Sequence, residues 1–143
     1  RTFALSGGEM RRAALAGVVA MHPEILVLDE ATAGLDQTGR RQVHDLLRRL
    51  RDEQGLTVVL VSNEMDEVAE LADSVTIVDR GRTTARGSVR DVLTRGDLLD
   101  ASGLLLPEAT EISQRLKASG IPLVDDLLTA PEVEEALWQV LPR

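Results

Sequence analysis

The sequence has no cysteine, no tyrosine and a single lysine, Lys117. Without cysteine there can be no disulfide scaffold and no thiolate-held metal. The only aromatic residues are Phe3 and Trp138, so any core must be filled by Leu, Val, Ile and Ala. Long apolar runs are missing too. The best, Ala13 to Met21, is too short to span a bilayer and contains Gly17. Positive charge is in short supply: the net charge of -8 argues against nonspecific nucleic-acid binding. No signal peptide is visible, and the first residue is Arg1, which makes the chain read as a piece of something longer. What is present is ordinary globular composition, 43% hydrophobic and 28% charged over 143 residues, enough for one domain with a sizeable core.

Charge is unevenly spread. Residues 1–96 hold 13 basic and 15 acidic residues, whereas residues 97–143 hold 3 and 9, so the composition shifts near Gly96 and a domain boundary is placed there. The first part alternates helix and strand signals. Ser6 to about Met21 reads as a helix that is apolar nearly all round and hence buried. Ile25–Leu28 reads as a strand buried on both faces. Val43, Leu46, Leu47 and Leu50 mark an amphipathic helix from Gln37 to Gln54, stopped by Gly55. Thr57–Val61 and Ser74–Val78 read as further strands, with a helix from Glu64 to Leu71 between them. Asp79-Arg80-Gly81 reads as a tight turn into a short hairpin arm near Thr83–Ala85. This alternation implies a parallel sheet of βαβ units. Beyond Gly96, helices are expected at Glu108–Ala118 and Pro131–Leu141, after a short one at Arg90–Thr94, as a small helical appendage. Trp138, Leu137 and Leu141 read as a packing stripe, and His22 and His44 as solvated residues.

Four motifs could carry chemistry. Ser6-Gly7-Gly8-Glu9, preceded by Leu5, stands where a helix begins, so free N–H groups, the helix dipole and a hydroxyl could converge on an anion. The same residues also spell an ordinary Ser-x-x-Glu capping box. Ile25-Leu26-Val27-Leu28-Asp29-Glu30 ends an aliphatic strand in two carboxylates. In parallel sheets, ligands gather at that end of the strands. One acid can hold Mg2+ through water and the next can orient or deprotonate a water. Gly34 and Asp36 can be explained as a turn and an N-cap. Asn63 is also a good N-cap, with Asp66 where a reciprocal cap would sit.

In their order along the chain, these motifs resemble the C-terminal half of an ABC ATPase nucleotide-binding domain. Leu5 to Glu9 match the ABC signature, Ile25 to Glu30 the Walker B strand with its catalytic glutamate, and Ala33-Gly34-Leu35-Asp36 the D-loop. Ser62-Asn63 stands where the switch histidine follows a strand in that family. Asp79-Arg80-Gly81-Arg82 and the helix Val89–Leu93 match the usual end of the domain. The stretch from Glu24 to Asp36, and the tail from Leu104 to Thr110, resemble the energy-coupling factor (ECF-type) importer ATPases, which carry a C-terminal helical extension.

The resemblance implies an α/β fold: a P-loop NTPase-like parallel sheet with flanking helices, truncated at its N-terminal side, plus a small C-terminal helical extension. Residues 1–96 would be the C-terminal part of the nucleotide-binding domain and 97–143 the extension. It implies ATP and Mg2+ as cofactors and head-to-tail pairing with a second ABC ATPase subunit, as a homo- or heterodimer. Ser6, Gly7, Gly8 and Glu9 would meet nucleotide held mainly by the partner. Asp29 would serve Mg2+, Glu30 would polarise the attacking water, and Asp36 would communicate across the pair. It further implies an integral membrane coupling subunit as partner, a cytoplasmic position on the inner face of the membrane, and import of a vitamin or metal ion.

Two departures qualify this. The chain has no Gly-Lys-Ser/Thr loop, since Lys117 lies in Lys117-Ala118-Ser119-Gly120, so it cannot build an ATP site from its own residues and is expected to be inactive alone. Asn63 replaces the switch histidine, and an amide can hydrogen-bond but cannot titrate. A non-catalytic ABC-fold module that completes a partner's site is the alternative. A soluble ATPase of DNA repair or translation would be expected to show heptads or basic linkers, and neither appears. One sheet edge, left without the P-loop strand, is expected to mediate association.

Overall fold

The computed structural model describes residues 6–124 and 126–140. Leu5, Phe3 and Leu141 lie outside the described residues. The chain forms two compact units, Arg1–Val61 and Ser62–Arg143.

The first unit is a helix followed by one βαβ crossover: α1 (Gly7–Val19), β1 (Ile25–Asp29), α2 (Gln37–Gln54) and β2 (Thr57–Val61). β1 and β2 run parallel, paired from Ile25↔Thr57 to Asp29↔Val61. Parallel strands cannot be joined by a tight turn, and α2 supplies the crossover. Its ends are written in the sequence. The Asp36 carboxylate accepts the Gly39 N–H at 2.8 Å, and Gly55 closes the helix at φ 67°, in the left-handed region that favours glycine. Val43, Leu47 and Leu50 turn inward as their spacing requires. His44 is buried with them at 3% exposure, which corrects the expectation of a solvated histidine: the inward stripe is wider than the leucines alone suggest. His22 is exposed.

Burial differs from expectation at two further places. β1 buries one face only. Leu26 and Leu28 are covered, while Ile25 and Val27 are 61% and 64% exposed and stand beside exposed Val59 and Val61 of β2. α1 has no buried residue. Its alanines and glycines give little apolar area per turn, Arg11 and Arg12 break the stripe, and Leu15 and Val19 are half-buried.

The second unit begins with α3 (Met65–Leu71) and a hairpin, β3 (Ser74–Asp79) and β4 (Arg82–Ser88). Its helices are α4 (Val89–Leu93), α5 (Gly96–Ala101), α6 (Glu108–Ala118) and α7 (Ala130–Val140). β3 pairs antiparallel with β4, as the expected hairpin requires: Arg80 at φ 47° and Gly81 at φ 74° fold the chain straight back. The parallel pairing also expected of β3 is not the one it makes in this hairpin. The arm expected near Thr83–Ala85 is longer, a full partner strand.

The composition shifts at Gly96, but the packing does not. Leu99 of α5 and Leu128, just before α7, share one core with Met65, Val68, Ile77, Val89, Val92 and Leu93. A smaller cluster, Ala109, Leu127 and Val133, seats α7 on α6, with Leu137 packed at its margin. Trp138 is 72% exposed, so it does not belong to the stripe expected for it.

Polar ties hold the tail helices in place. The Asp66 carboxylate accepts the Glu108 N–H at 2.8 Å, capping α6 from a residue 42 positions away. Thr110, fully buried, donates to the Leu127 carbonyl at 2.7 Å. Arg90 of α4 pairs with Glu132 of α7 at 2.6 Å and donates to the Asp126 carbonyl. The other Glu132 oxygen accepts the Leu128 and Thr129 N–H groups, capping α7. Burial pushes the Glu132 carboxyl up, but the Leu128 N–H, the Arg90 guanidinium and the Thr129 N–H outweigh it and hold it below its ordinary value of 4.5. Stability from a depressed carboxyl is fully present above the unfolded value and is lost as pH falls through the folded one. Between neutral pH and pH about 3, wild type should therefore lose more stability in urea unfolding than Glu132→Gln, whose profile should be flatter. Parallel profiles would contradict this.

Candidate nucleotide-binding site

The start of α1 is built as a complete capping box. Glu9 N–H donates to Ser6 Oγ at 3.3 Å, and one Glu9 oxygen accepts both the Ser6 N–H (2.8 Å) and the Ser6 hydroxyl (2.9 Å). These Ser6 donors hold the Glu9 carboxyl below its ordinary value, with a smaller contribution from Arg12. Gly7 and Gly8 begin the helix, so their N–H groups belong to the first turn, which has no intrahelical acceptors. The capping and anion-binding readings of this motif are compatible. The box uses Ser6 and Glu9, and the glycine amides remain at the positive end of the helix dipole.

An open cleft of about 1070 Å³ lies at this end of α1, lined by Ser6, Gly7, Gly8, Arg11, Arg12, Gly34, Leu35 and Asp36 among others. The first and third sequence motifs are thus brought to one place. Contact between them is close. A Cβ added at Gly8 would stand 3.1 Å from Leu35 Cδ2, and Leu35 is buried. Gly34 turns at φ 74°. At Gly39 an added Cβ would fall 2.8 Å from Asp36 Oδ1 and 3.2 Å from the Arg12 guanidinium, so Asp36, the α2 cap and Arg12 crowd one spot. Sequence reasoning passed over Arg11 and Arg12. Their place one turn after the glycines was the available signal.

Asp29 is the last residue of β1, opposite Val61, and Glu30 follows it. Glu30 adopts φ 46°, an uncommon conformation for a non-glycine residue that costs about 1 kcal/mol. It is held there by two backbone bonds: its N–H donates to the Val61 carbonyl at 2.9 Å, and its carbonyl accepts the Ala33 N–H at 3.2 Å. Both carboxylates are exposed. Asp29 also borders a second cleft, of about 250 Å³, between α1 and β1. Among the described residues no group of three His, Asp or Glu side chains gathers to hold a metal. Mg2+ does not need one, since it keeps several waters and takes one or two carboxylates together with phosphate oxygens. A lone exposed Asp29 fits that donor set.

Asn63 belongs to the second unit and is exposed. It does not cap the following helix, as its residue type suggested. The N-cap is Glu64, without a side-chain cap bond, and Asp66 is engaged with α6.

Asp36 combines a structural and a candidate functional role, and two substitutions separate them. Asp36→Ala should lower the stability of α2 by about 1 kcal/mol in chemical denaturation, whereas Asp36→Asn, an equally good cap, should cost only a few tenths. Equal losses would show that charge, not capping, holds this turn.

The family profile of ABC transporters matches residues 1–33. The energy-coupling factor transporter ATP-binding protein EcfA2 of Lactiplantibacillus plantarum is 46% identical over 140 residues, covering 98% of this chain and 48% of that protein. Among solved structures, cbiO1 of Clostridium perfringens, part of the ABC transporter complex cbiONQ, is 31% identical with a TM-score of 0.61, covering 83% of this chain and 43% of that one. A dimeric bacterial ABC transporter cassette, MJ0796, is 28% identical with a TM-score of 0.58, covering 63% of this chain and 38% of the other. The chain spans about half the length of the curated relatives it matches. The chain is thus similar to ABC transporter ATP-binding proteins, the ECF-type ATPases among them.

Proposed function

We propose that this chain is the C-terminal part of an ATP-hydrolysing subunit that energises an ECF-type importer of a vitamin or metal ion. Residues 1–96 carry the nucleotide-facing motifs, and residues 97–143 form the helical extension. The observation that carries the reading is the shared cleft of Ser6, Gly7, Gly8 and Asp36 in a unit whose parallel strand ends in Asp29-Glu30. The partners in this reading are a second ABC ATPase subunit and an integral membrane coupling subunit. The place of action is the cytoplasmic face of the membrane. Among the described residues no helix is long and apolar enough to cross a membrane itself.

Bound ATP with Mg2+ would supply the phosphoryl group to be transferred. The chain's own residues divide the remaining work. The Gly7 and Gly8 amides, with the α1 dipole behind them, present donors to phosphate oxygens of a nucleotide gripped by the partner. Asp29 offers one carboxylate to the metal. The Glu30 backbone is tied to the end of β2 by its N–H bond to the Val61 carbonyl, which sets its carboxylate next to Asp29, where it would orient and deprotonate water. Asp36 is anchored as the cap of α2 at the mouth of the same cleft and would sense the partner across it.

A second reading has specific support. Asn63 stands at the switch position and cannot exchange a proton near neutral pH. A subunit with this feature could complete its partner's ATP site while its own turns over slowly. The two readings separate in the longer polypeptide assembled with its partner. Glu30→Gln should reduce ATP turnover by about 10²-fold or more if this subunit's site hydrolyses. Asn63→His should raise turnover if the amide is what limits it. Turnover indifferent to both changes, with ATP-dependent pairing intact, would favour the non-catalytic reading.

A further inference from the structure

The loop that carries Asn63 is held by a buried acid that none of the motifs includes. Glu67 is 2% exposed, unusual for a carboxylate, and its Oε2 accepts the Ser62 hydroxyl at 2.8 Å. Ser62 Oγ in turn accepts the Glu64 N–H at 3.1 Å. Counting from the N-cap Glu64, Glu67 is the third residue of α3. A glutamate there ordinarily reaches back to the N-cap N–H directly, as Glu9 does at α1. At α3 the same connection runs through an inserted serine hydroxyl. Both neighbours of Asn63 are thereby pinned, Ser62 by its side chain and Glu64 by its backbone, while the Asn63 side chain is not used as the cap and stays exposed. Met65 and Val68, on either side of Glu67, anchor α3 in the core.

We propose that Glu67 is a positioning residue: through Ser62 it sets the backbone that presents Asn63 to the nucleotide. The proposal rests on the reading of Asn63 as the switch position. It differs from simple helix capping in what it predicts. A cap alone affects stability; a positioning relay also affects turnover at saturating ATP, because it acts on the geometry of the reacting site and not on the grip on nucleotide.

The test uses Ser62→Ala, which removes one hydroxyl, and Glu67→Met, which removes the acceptor at similar volume. Ser62→Thr keeps the hydroxyl. In the 143-residue chain, exchange of the Glu64 amide is followed by NMR. In the longer polypeptide with its partner, kcat and KM for ATP are measured. Ser62→Ala and Glu67→Met are expected to speed Glu64 exchange by about tenfold and to lower kcat several-fold with KM for ATP within about twofold. The double variant should be no worse than either single one, and Ser62→Thr should be close to wild type on both readouts. Unchanged Glu64 exchange in Ser62→Ala would overturn the relay. Faster exchange with unchanged kcat in an active assembly would overturn its role in turnover. An assembly without ATPase activity in wild type would instead remove the functional reading beneath it and this role with it, leaving the exchange result to judge the relay as structure.

Discussion

The five-residue parallel pairing of β1 with β2 is the constraint on which the candidate site depends. It puts Asp29 opposite Val61 at the end of both strands, and the Glu30 N–H then closes on the Val61 carbonyl. Glu30 is held in a left-handed conformation by that bond and by the turn through Ala33. A one-residue slip would exchange the faces of β1, exposing Leu26 and Leu28 and burying Ile25 and Val27. It would also part the carboxylates from the end of β2. The connection through α2 adds to this. Asp36 caps α2 on the way from β1 to β2, so the helix that makes the parallel pairing possible also fixes a residue of the cleft.

Small residues do similar work at the mouth of the cleft. A side chain at Gly8 would press on Leu35, and one at Gly39 would displace the Asp36 carboxylate that caps α2 or the Arg12 guanidinium beside it. Of the signature-like glycines, Gly8 thus has a packing reason independent of any ligand, while Gly7 faces open space. Their amides at the start of α1 would supply the donors that the family resemblance assigns to phosphate. The second unit is organised differently, around an aliphatic core shared by the hairpin, α4, α5 and the approach to α7. The Arg90–Glu132 pair and the Asp66 cap fasten the tail helices to elements that precede Gly96 in sequence.

Much of this was legible in the sequence because local rules fixed it. The boundaries of α2 follow from Asp36 and Gly55, β2 from a run of β-branched residues, and the box at α1 from Ser6 and Glu9 at the right spacing. Features set by what packs against an element were not legible. An all-aliphatic strand such as Ile25–Leu28 signals possible cover on two faces, but cannot say that one of them is open. The turn at Asp79–Gly81 showed that the chain folds back after β3, but the short run near Thr83–Ala85 did not show that the returning strand extends from Arg82 to Ser88. Asn63 has the propensity of a cap, yet its side chain is not used as one: Ser62 accepts the Glu64 N–H and donates to Glu67, and the helix starts one residue later. The order of motifs, rather than any one of them, pointed to the ABC family.

The central claim is that the start of α1 faces a nucleotide held by another subunit. It is tested most directly by following the Gly7 and Gly8 amide resonances of the isotope-labelled chain while a P-loop-bearing ECF-type ATPase subunit is added with Mg2+ and ATP or ADP. Large shifts at both glycines with ATP, and much smaller ones with ADP, are the expected result. Resonances that stay put, or that move equally with both nucleotides, would contradict it.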